Sequence, residues 1–400
     1  MPSSLPLVAL LLAVLAASSR AQQTWIVDAA GGGNFTDLPP AVDAASPGDT
    51  IEVRAGDYSA PVIRRALIVR GANGARVTRG RFAIRDLPAG ELCSIASLTM
   101  TVGLDLEACA GAVTLSRCTI RGPHRMHSSN WMFGTVLIHS CRRVDLFECS
   151  VISEGAFFVA ALDVFSSNVA FARGSLVGIR PGNISNCGLY WTGVAPGGPA
   201  MSVRDSLISL DGVSLAGGGD GCYYAGGWGN TTWPGPSVLG ASNSELRVVG
   251  ISSTVVSFLG GTLSPKVNTI NGRLLYDPRT GFGAYCGATT ANCSPATLDV
   301  MRISQTLNSL DFSVHADPGV LSQILVSRPG IPADLNGLGL SWLDPATVVP
   351  LASGVHTAAV WSYSLPLVSP TASGVAITAQ AAVLRAGTVN FSEAATLVLR

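Results

Sequence analysis

The sequence predicts an all-β protein, a right-handed parallel β-helix followed by a small antiparallel β-sandwich. Three observations carry that prediction. Pairs of short alternating runs recur along the first two thirds of the chain. The spacing between recurrences is irregular, as when loops of different length leave a regular stack. The texture then changes beyond residue 297 to longer alternating strands separated by prolines.

The repeat begins Leu104-Asp105-Leu106, Cys109, Val113-Thr114-Leu115, Cys118. It returns as Val136-Leu137-Ile138, Cys141, Val144-Asp145-Leu146, Cys149, then as Leu162-Asp163-Val164, Ser167, Val169-Ala170-Phe171, Gly174. A fourth copy runs Met201-Ser202-Val203, Ser206, Ile208-Ser209-Leu210, Val213, and a fifth Leu239-Gly240-Ala241, Ser244, Leu246-Arg247-Val248, Ile251. Each copy holds two strands whose period of two sends one side inward and the other to the surface. One copy alone cannot bury its inner side, so the copies should stack as coils of a solenoid. Successive copies are 31, 25, 39 and 38 residues apart from Val113 to Leu246. The excess length falls at 121–134, 178–200 and 216–237, which puts the long loops on one side.

Asn34-Phe35-Thr36-Asp37 is expected to cap a short helix holding Ala41, Val42 and Ala45, which closes the open end of the apolar bore. Pro47-Gly48-Asp49 then turns the chain into the strand Thr50-Ile51-Glu52-Val53. At the very start, Leu5 to Ala17 are apolar and Ser19-Arg20-Ala21 places small residues at −3 and −1 of a cleavage site, although no Lys or Arg precedes the run. This predicts a signal peptide over 1–21, a β-helix over 22–297 and a sandwich over 298–400. The expected location is secreted or cell-surface, with no membrane insertion after cleavage. In the last segment, Leu310-Asp311-Phe312-Ser313-Val314 and Gly374-Val375-Ala376-Ile377-Thr378-Ala379 read as sandwich strands.

Charged residues make up 12% of the chain, Lys266 is the sole lysine, and the formal net charge is zero. A partner that demands a basic surface, such as nucleic acid, is therefore not expected. There are nine cysteines, an odd number. In an exported chain they suggest disulfides. Cys286 and Cys293 enclose a short loop. Cys109 with Cys141, and Cys118 with Cys149, occupy equivalent corners of adjacent coils, as disulfides or as stacked thiols. Cys187 and Cys222 lie on neighbouring long loops.

The stretch Gly31–Tyr58, GGGNFTDLPPAVDAASPGDTIEVRAGDY, resembles the opening segment of the pectin lyase-like β-helix superfamily. The last strands resemble the C-terminal sandwich of exported bacterial β-helix proteins of unknown function. The resemblance implies the fold over roughly residues 24–280. It implies little about chemistry, because the superfamily holds members with and without catalysis.

Catalysis on such a surface needs outward side chains on neighbouring coils. One outward column reads Asp105, Leu137, Asp163, Ser202; a second reads Glu107, His139, Phe165, Arg204; a third reads Thr114, Asp145, Ala170, Ser209. At a coil spacing of about 4.8 Å, Asp105 and Asp163 stand about 10 Å apart, near the upper end for a pair of inverting carboxylates. Glu107 beside His139 could orient a base. Asp105, Glu107, His139 and Asp163 are thus the catalytic candidates, although Leu137 and Phe165 interrupt their columns. The paired acids of pectin methylesterases and the clustered calcium ligands of pectate lyases are not evident. His124 and His127 lack a second ligand pair, so neither a metal site nor a cofactor is expected.

The preferred expectation is a non-catalytic secreted or cell-surface protein that binds glycan. The alternative is a polysaccharide lyase or glycoside hydrolase acting on an extracellular polymer. The candidate ligand residues are Trp131, Tyr190, Trp191, Tyr223, Tyr224, Trp228 and Trp233. Four of the seven tryptophans are in this set, all in the long loops. Flat aromatic faces suit sugar rings; the competing reading is that these rings only hold the loops in place.

Overall fold

The structure is a computed structural model. It describes residues 22–122, 125–126, 132–154, 160–178, 198–217, 238–240, 244–249, 254–256, 267–269, 273–276, 293–295, 299–306, 309–335, 340–366 and 376–399. The fold is nearly all β: a parallel β-helix followed by a β-sandwich.

Each full coil contributes one strand to each of three sheets. The first, eight-stranded sheet includes Phe82–Arg85, Leu104–Glu107, Val136–His139, Leu162–Phe165 and Met201–Arg204. The second, eleven-stranded sheet includes Leu92–Ala96, Ala112–Ser116, Arg143–Phe147, Asn168–Ala172 and Leu207–Asp211. The third, again eight-stranded, includes Thr99–Met100, Thr119–Gly122, Ser150–Ser153, Ser175–Val177 and Ser214–Ala216. Val113 pairs with Val144, Val144 with Val169, Val169 with Ile208 and Ile208 with Leu246, all in parallel. The three outward columns read from the sequence have this same register.

Two details differ from the sequence reading. A coil has three strands, not two. The third presents one large buried apolar side chain in each of four coils, Ile120, Val151, Leu176 and Leu215, with the small Ala216 also buried in the last. One inward residue is too short a signal for periodicity to register. In the fifth copy Met201 pairs with Val238 and Ser202 with Leu239, so Leu239 stands one position away from where its apolar character put it.

The corners explain why the repeat tolerates such different residues. Between first and second sheets, Asp86, Ala108, Ser140, Ser166 and Asp205 adopt left-handed φ values of 47–54°. Between second and third sheets, Ser97, Arg117, Glu148 and Arg173 do the same, at 51–54°. That conformation costs a non-glycine residue about 1–2 kcal/mol. It is offset because the N–H groups of Asp86, Ser97, Ala108, Arg117, Ser140, Glu148, Ser166 and Arg173 bond to the next coil, as from Ala108 to the His139 carbonyl (2.9 Å) and from Arg117 to that of Phe147 (2.8 Å). The coil-to-coil ladder thus continues round the bend.

Inside the stack, Leu104, Leu106, Val113, Leu115 and Ile120 of one coil lie against Val136, Ile138, Val144, Leu146 and Val151 of the next, all buried. The helix Leu38–Ala44 adds Leu38, Ala41 and Val42 to the same core. Asp37 caps it, accepting the N–H groups of Leu38 (2.9 Å) and Ser59 (2.7 Å).

The second unit is antiparallel. Val300–Gln305, Ser309–His315 and Val360–Pro366 form one sheet. Val349–Val355, Leu321–Ser327, Ala376–Arg385, Thr388–Phe391 and Ala395–Val398 form another, and Pro329–Asp334 pairs with Leu340–Leu343 as a hairpin. Strict alternation in Ser309–His315 buries Leu310, Phe312 and Val314. The backbone N–H of buried Trp342 donates to the Gln380 side-chain Oε1 (3.0 Å). No helix among the described residues is long and apolar enough to cross a membrane.

Candidate functional site

The outer face of the first sheet brings the catalytic candidates together, and local chemistry gives each a different task. The first outward column is buried: Ala83, Asp105, Leu137 and Asp163 are all at most 5% exposed. The second, Arg85, Glu107, His139, Phe165 and Arg204, reaches solvent.

Asp105 is held by Arg81. The Arg81 Nε and Nη2 both donate to Asp105 Oδ1, at 2.9 and 2.8 Å. The same guanidinium donates to the carbonyls of Val102, Leu104, Gly134 and Thr135 at 3.0–3.3 Å. It therefore runs along the stack and ties three coils. Gly103 makes room for it, because a Cβ there would meet Arg81 Nη1 and the Thr135 carbonyl at 2.5 Å, and its φ is +97°.

Asp163 accepts the Gly134 N–H at 2.5 Å, and Ser202 also donates to it. Burial pushes its carboxyl up to about 7, against these hydrogen bonds and the Arg204 charge, which pull it down. Gly134 is again sterically required, since a Cβ would lie 2.5 Å from the Ala160 carbonyl. Thr135 completes the anchor by donating to the Gly122 carbonyl at 2.7 Å. Asp105, through Arg81, and Asp163, directly, thus hold residues 134–135, where the chain re-enters the first sheet.

Leu137 fills the position between the two aspartates and is itself 4% exposed. Glu107 faces Arg85 at 3.4 Å, and Arg85 also lies 3.8 Å from Asp105. His139 is exposed and meets the Phe165 ring edge-on, with centroids 6.4 Å apart. The Arg204 guanidinium lies over the other side of the row, 5.4 Å from the Phe165 centroid. This row is therefore one half-buried aromatic ring flanked by an imidazole and a guanidinium.

On the second sheet, Asp145 is bound bidentately by Arg143, at 2.8 and 3.2 Å, and both are buried. The corner residues Glu148 and Arg173 pair at 3.7 Å, and Arg173 also covers Phe147. In the sandwich, a shallow groove of about 310 Å³ is lined by Ser304, Asp311, Ser313, Ser362 and Ser364. Its carboxylate already accepts hydrogen bonds from Ser309 and Ser364. Among the described residues no three His, Cys, Asp or Glu side chains gather as metal ligands.

The ring-bearing candidates Trp131, Tyr190, Trp191, Tyr223, Tyr224, Trp228 and Trp233 lie outside the described residues, as do His124, His127, Cys187, Cys222 and Cys286. Cys293 is described only as part of the strand Cys293–Pro295. Cys93, Cys109, Cys118, Cys141 and Cys149 are buried thiols in this structure, so neither corner pair carries a disulfide here.

The sequence reading missed Arg81, Arg85 and Gly134. The first two were accessible: Phe82-Ala83-Ile84 repeats the pattern of Leu104-Asp105-Leu106 one coil earlier, and Phe82 pairs with Leu104. Gly134 had no signal, because its importance comes from the Ala160 carbonyl of the next coil. The chain matches no protein-family model and no curated protein.

Proposed function

We propose that this chain is a non-catalytic secreted or cell-surface β-helix protein of the pectin lyase-like superfamily that binds an extracellular polysaccharide. The observation that carries this reading is how the acids on the outer face of the first sheet are used. Asp105 is spent on Arg81, Glu107 faces Arg85, and Asp163 anchors the Gly134 N–H. Leu137 occupies the space between the two aspartates, where an attacking water would have to sit. What this face offers a ligand is the half-buried Phe165 ring between exposed His139 and Arg204, an apolar ring with polar neighbours. Such a platform suits a sugar, whose ring stacks while its hydroxyls bond to the flanking groups.

The position of the insertions supports the same reading. The segments holding Trp131, Tyr190, Trp191, Tyr223, Tyr224, Trp228 and Trp233 all join a third-sheet strand to the next first-sheet strand. The described strands on either side of these segments bound the corner between the third sheet and the first, the sheet that carries Phe165. Glycan-array binding by the wild type, compared with Phe165→Ala and with a Trp228→Ala/Trp233→Ala variant, tests the proposal. Binding is expected in the wild type and lost in both variants. No binding, or binding unchanged in folded variants, rejects it.

One observation favours the alternative of a lyase or hydrolase. Asp163 is a carboxyl poised to change protonation near neutral pH, as a general acid requires. On the non-catalytic reading, purified protein releases no reducing or unsaturated sugars from pectin, polygalacturonate or related polymers. Release that disappears in Asp163→Asn reverses the assignment.

A further inference from the structure

Two pairs of cysteines stack at opposite ends of one strand pair. Ala112–Ser116 and Arg143–Phe147 lie side by side in the second sheet. Cys109 and Cys141 stand just before these strands, and Cys118 and Cys149 just after. The two members of each pair follow corner residues of matching φ, Ala108 and Ser140 at 54° and Arg117 and Glu148 at 52°. Their backbones are therefore superimposable one coil apart, a Cα separation of about 4.8 Å, inside the window for a disulfide. In each pair the sulfurs are within hydrogen-bonding reach of one another.

The first corner shows what the fold requires of these positions. Further along its column, Ser167 donates to the Phe165 carbonyl (2.6 Å) and accepts the Cys141 N–H (2.9 Å), and Ser206 repeats the arrangement one coil on. Cys109 and Cys141 point their sulfurs at the equivalent carbonyls of Glu107 and His139. A hydroxyl therefore serves the ladder, and the ladder alone gives no reason for sulfur. The second corner continues as Gly174 and Val213, where no side-chain ladder is needed at all. Sulfur nonetheless occurs twice at both corners, on the same two coils. These are the coils separated by the segment 123–131.

We infer that Cys109–Cys141 and Cys118–Cys149 are sites of oxidation that close as two inter-coil disulfides while the chain folds. Each bridge forms one S–S bond and breaks two S–H bonds. The two protons and two electrons released pass to an acceptor disulfide, such as glutathione disulfide, which becomes two thiols. All four sulfurs are buried in the folded chain, so oxidation precedes closure of the coils. Cys93 stays a thiol, since the residue beside it one coil on is Val113. Its thiol is pushed up to about 12 by burial, which makes it unreactive. In vivo the inference rests on the export proposed above.

Reduced, denatured full-length chain, refolded in a glutathione redox buffer, alkylated and digested, provides the test. The expected peptide map links 109 to 141 and 118 to 149, with Cys93 alkylated. A Cys109→Ser/Cys118→Ala variant should fold, because serine already serves further along the first corner column and glycine and valine along the second, and should unfold at lower denaturant than the oxidised wild type. Alkylated thiols at the four positions, or exchanged partners, overturn the inference. The same map on protein recovered from the producing cell separates the two ideas. Thiols there, with bridges in the refolded chain, count against export and leave the pairing intact.

Discussion

Asp163 is a carboxyl group whose burial changes its ordinary behaviour. Its folded-state value of about 7 lies above the usual 3.8, so between those limits the folded chain holds a proton that the unfolded chain has released. Stability is therefore lost as pH rises through this window, by roughly 4 kcal/mol in all. Asp163→Asn should raise the melting temperature of the β-helix at pH 8 and leave it nearly unchanged at pH 4, as followed by thermal denaturation at the two values. An equal shift at both would mean that Asp163 does not titrate in this range. Arg81 and Asp105 behave differently, as a nearly buried ion pair. Removing Arg81 leaves the buried Asp105 carboxylate with the more distant Arg85, at 3.8 Å, so Arg81→Met alone should cost about 3 kcal/mol. Adding Asp105→Leu should restore much of the loss. A double variant no more stable than Arg81→Met would show that the carbonyl contacts of Arg81, not its charge, dominate.

The corner is the element that gives this fold its regularity. Among the described residues, nine non-glycine positions of the coils hold left-handed φ values, Ala108, Arg117 and Glu148 among them. Arg117 and Glu148 have charged side chains that reach solvent, and Glu148 engages Arg173. Ala108 has no side-chain contact of this kind, and only its N–H bond to the His139 carbonyl, which glycine would keep, works against its backbone strain. Ala108→Gly should therefore stabilise the β-helix by about 1 kcal/mol, measured by denaturant unfolding. Destabilisation would mean that the greater freedom of glycine in the unfolded chain outweighs the strain relieved. The corners also explain how the sequence could be read so far ahead of the structure. The apolar pairs Val113-x-Leu115 and Val144-x-Leu146 set the second-sheet register. Cys109, Cys141, Ser167 and Ser206 mark the first bend, each three residues after the last inward side chain of its first-sheet strand, Leu106, Ile138, Val164 and Val203. The third strand escaped notice because Ile120 or Val151 alone carries its inward side.

At the scale of the whole molecule, the β-helix and the sandwich have different sensitivities to acid. In the sandwich, His356 is 1% exposed and shares a hydrogen bond of 2.9 Å with Ser322. Burial pulls its imidazole below the ordinary 6.5, against the Ala358 backbone and the charges of Asp299 and Asp317. The folded sandwich thus binds fewer protons than the unfolded chain below that value, and its stability falls as pH drops through it. The β-helix gains stability from Asp163 over the same fall. Calorimetry at pH 5 and pH 8 should therefore move the sandwich transition down in acid, and His356→Gln should abolish that movement. A sandwich transition that ignores pH, or one that still shifts in the variant, contradicts this assignment.

The sequence by itself determined the class of fold, the register of the outward columns through Ser202 and Arg204, the capping helix and the turn at Gly48. All of these are local or periodic: alternation, small corner residues and a capping aspartate repeat within a few residues, and stacking multiplies a weak signal coil by coil. Tertiary structure decided what the polar residues are for. Asp105 and Asp163 look alike in the sequence, but one is a charged partner of Arg81, 24 residues away, and the other a largely dehydrated carboxyl under Gly134. The reason is physical. Charge state and hydrogen-bond partners depend on which atoms lie within about 3 Å, and in a stack of coils those atoms belong to neighbouring turns, separated by insertions of variable length.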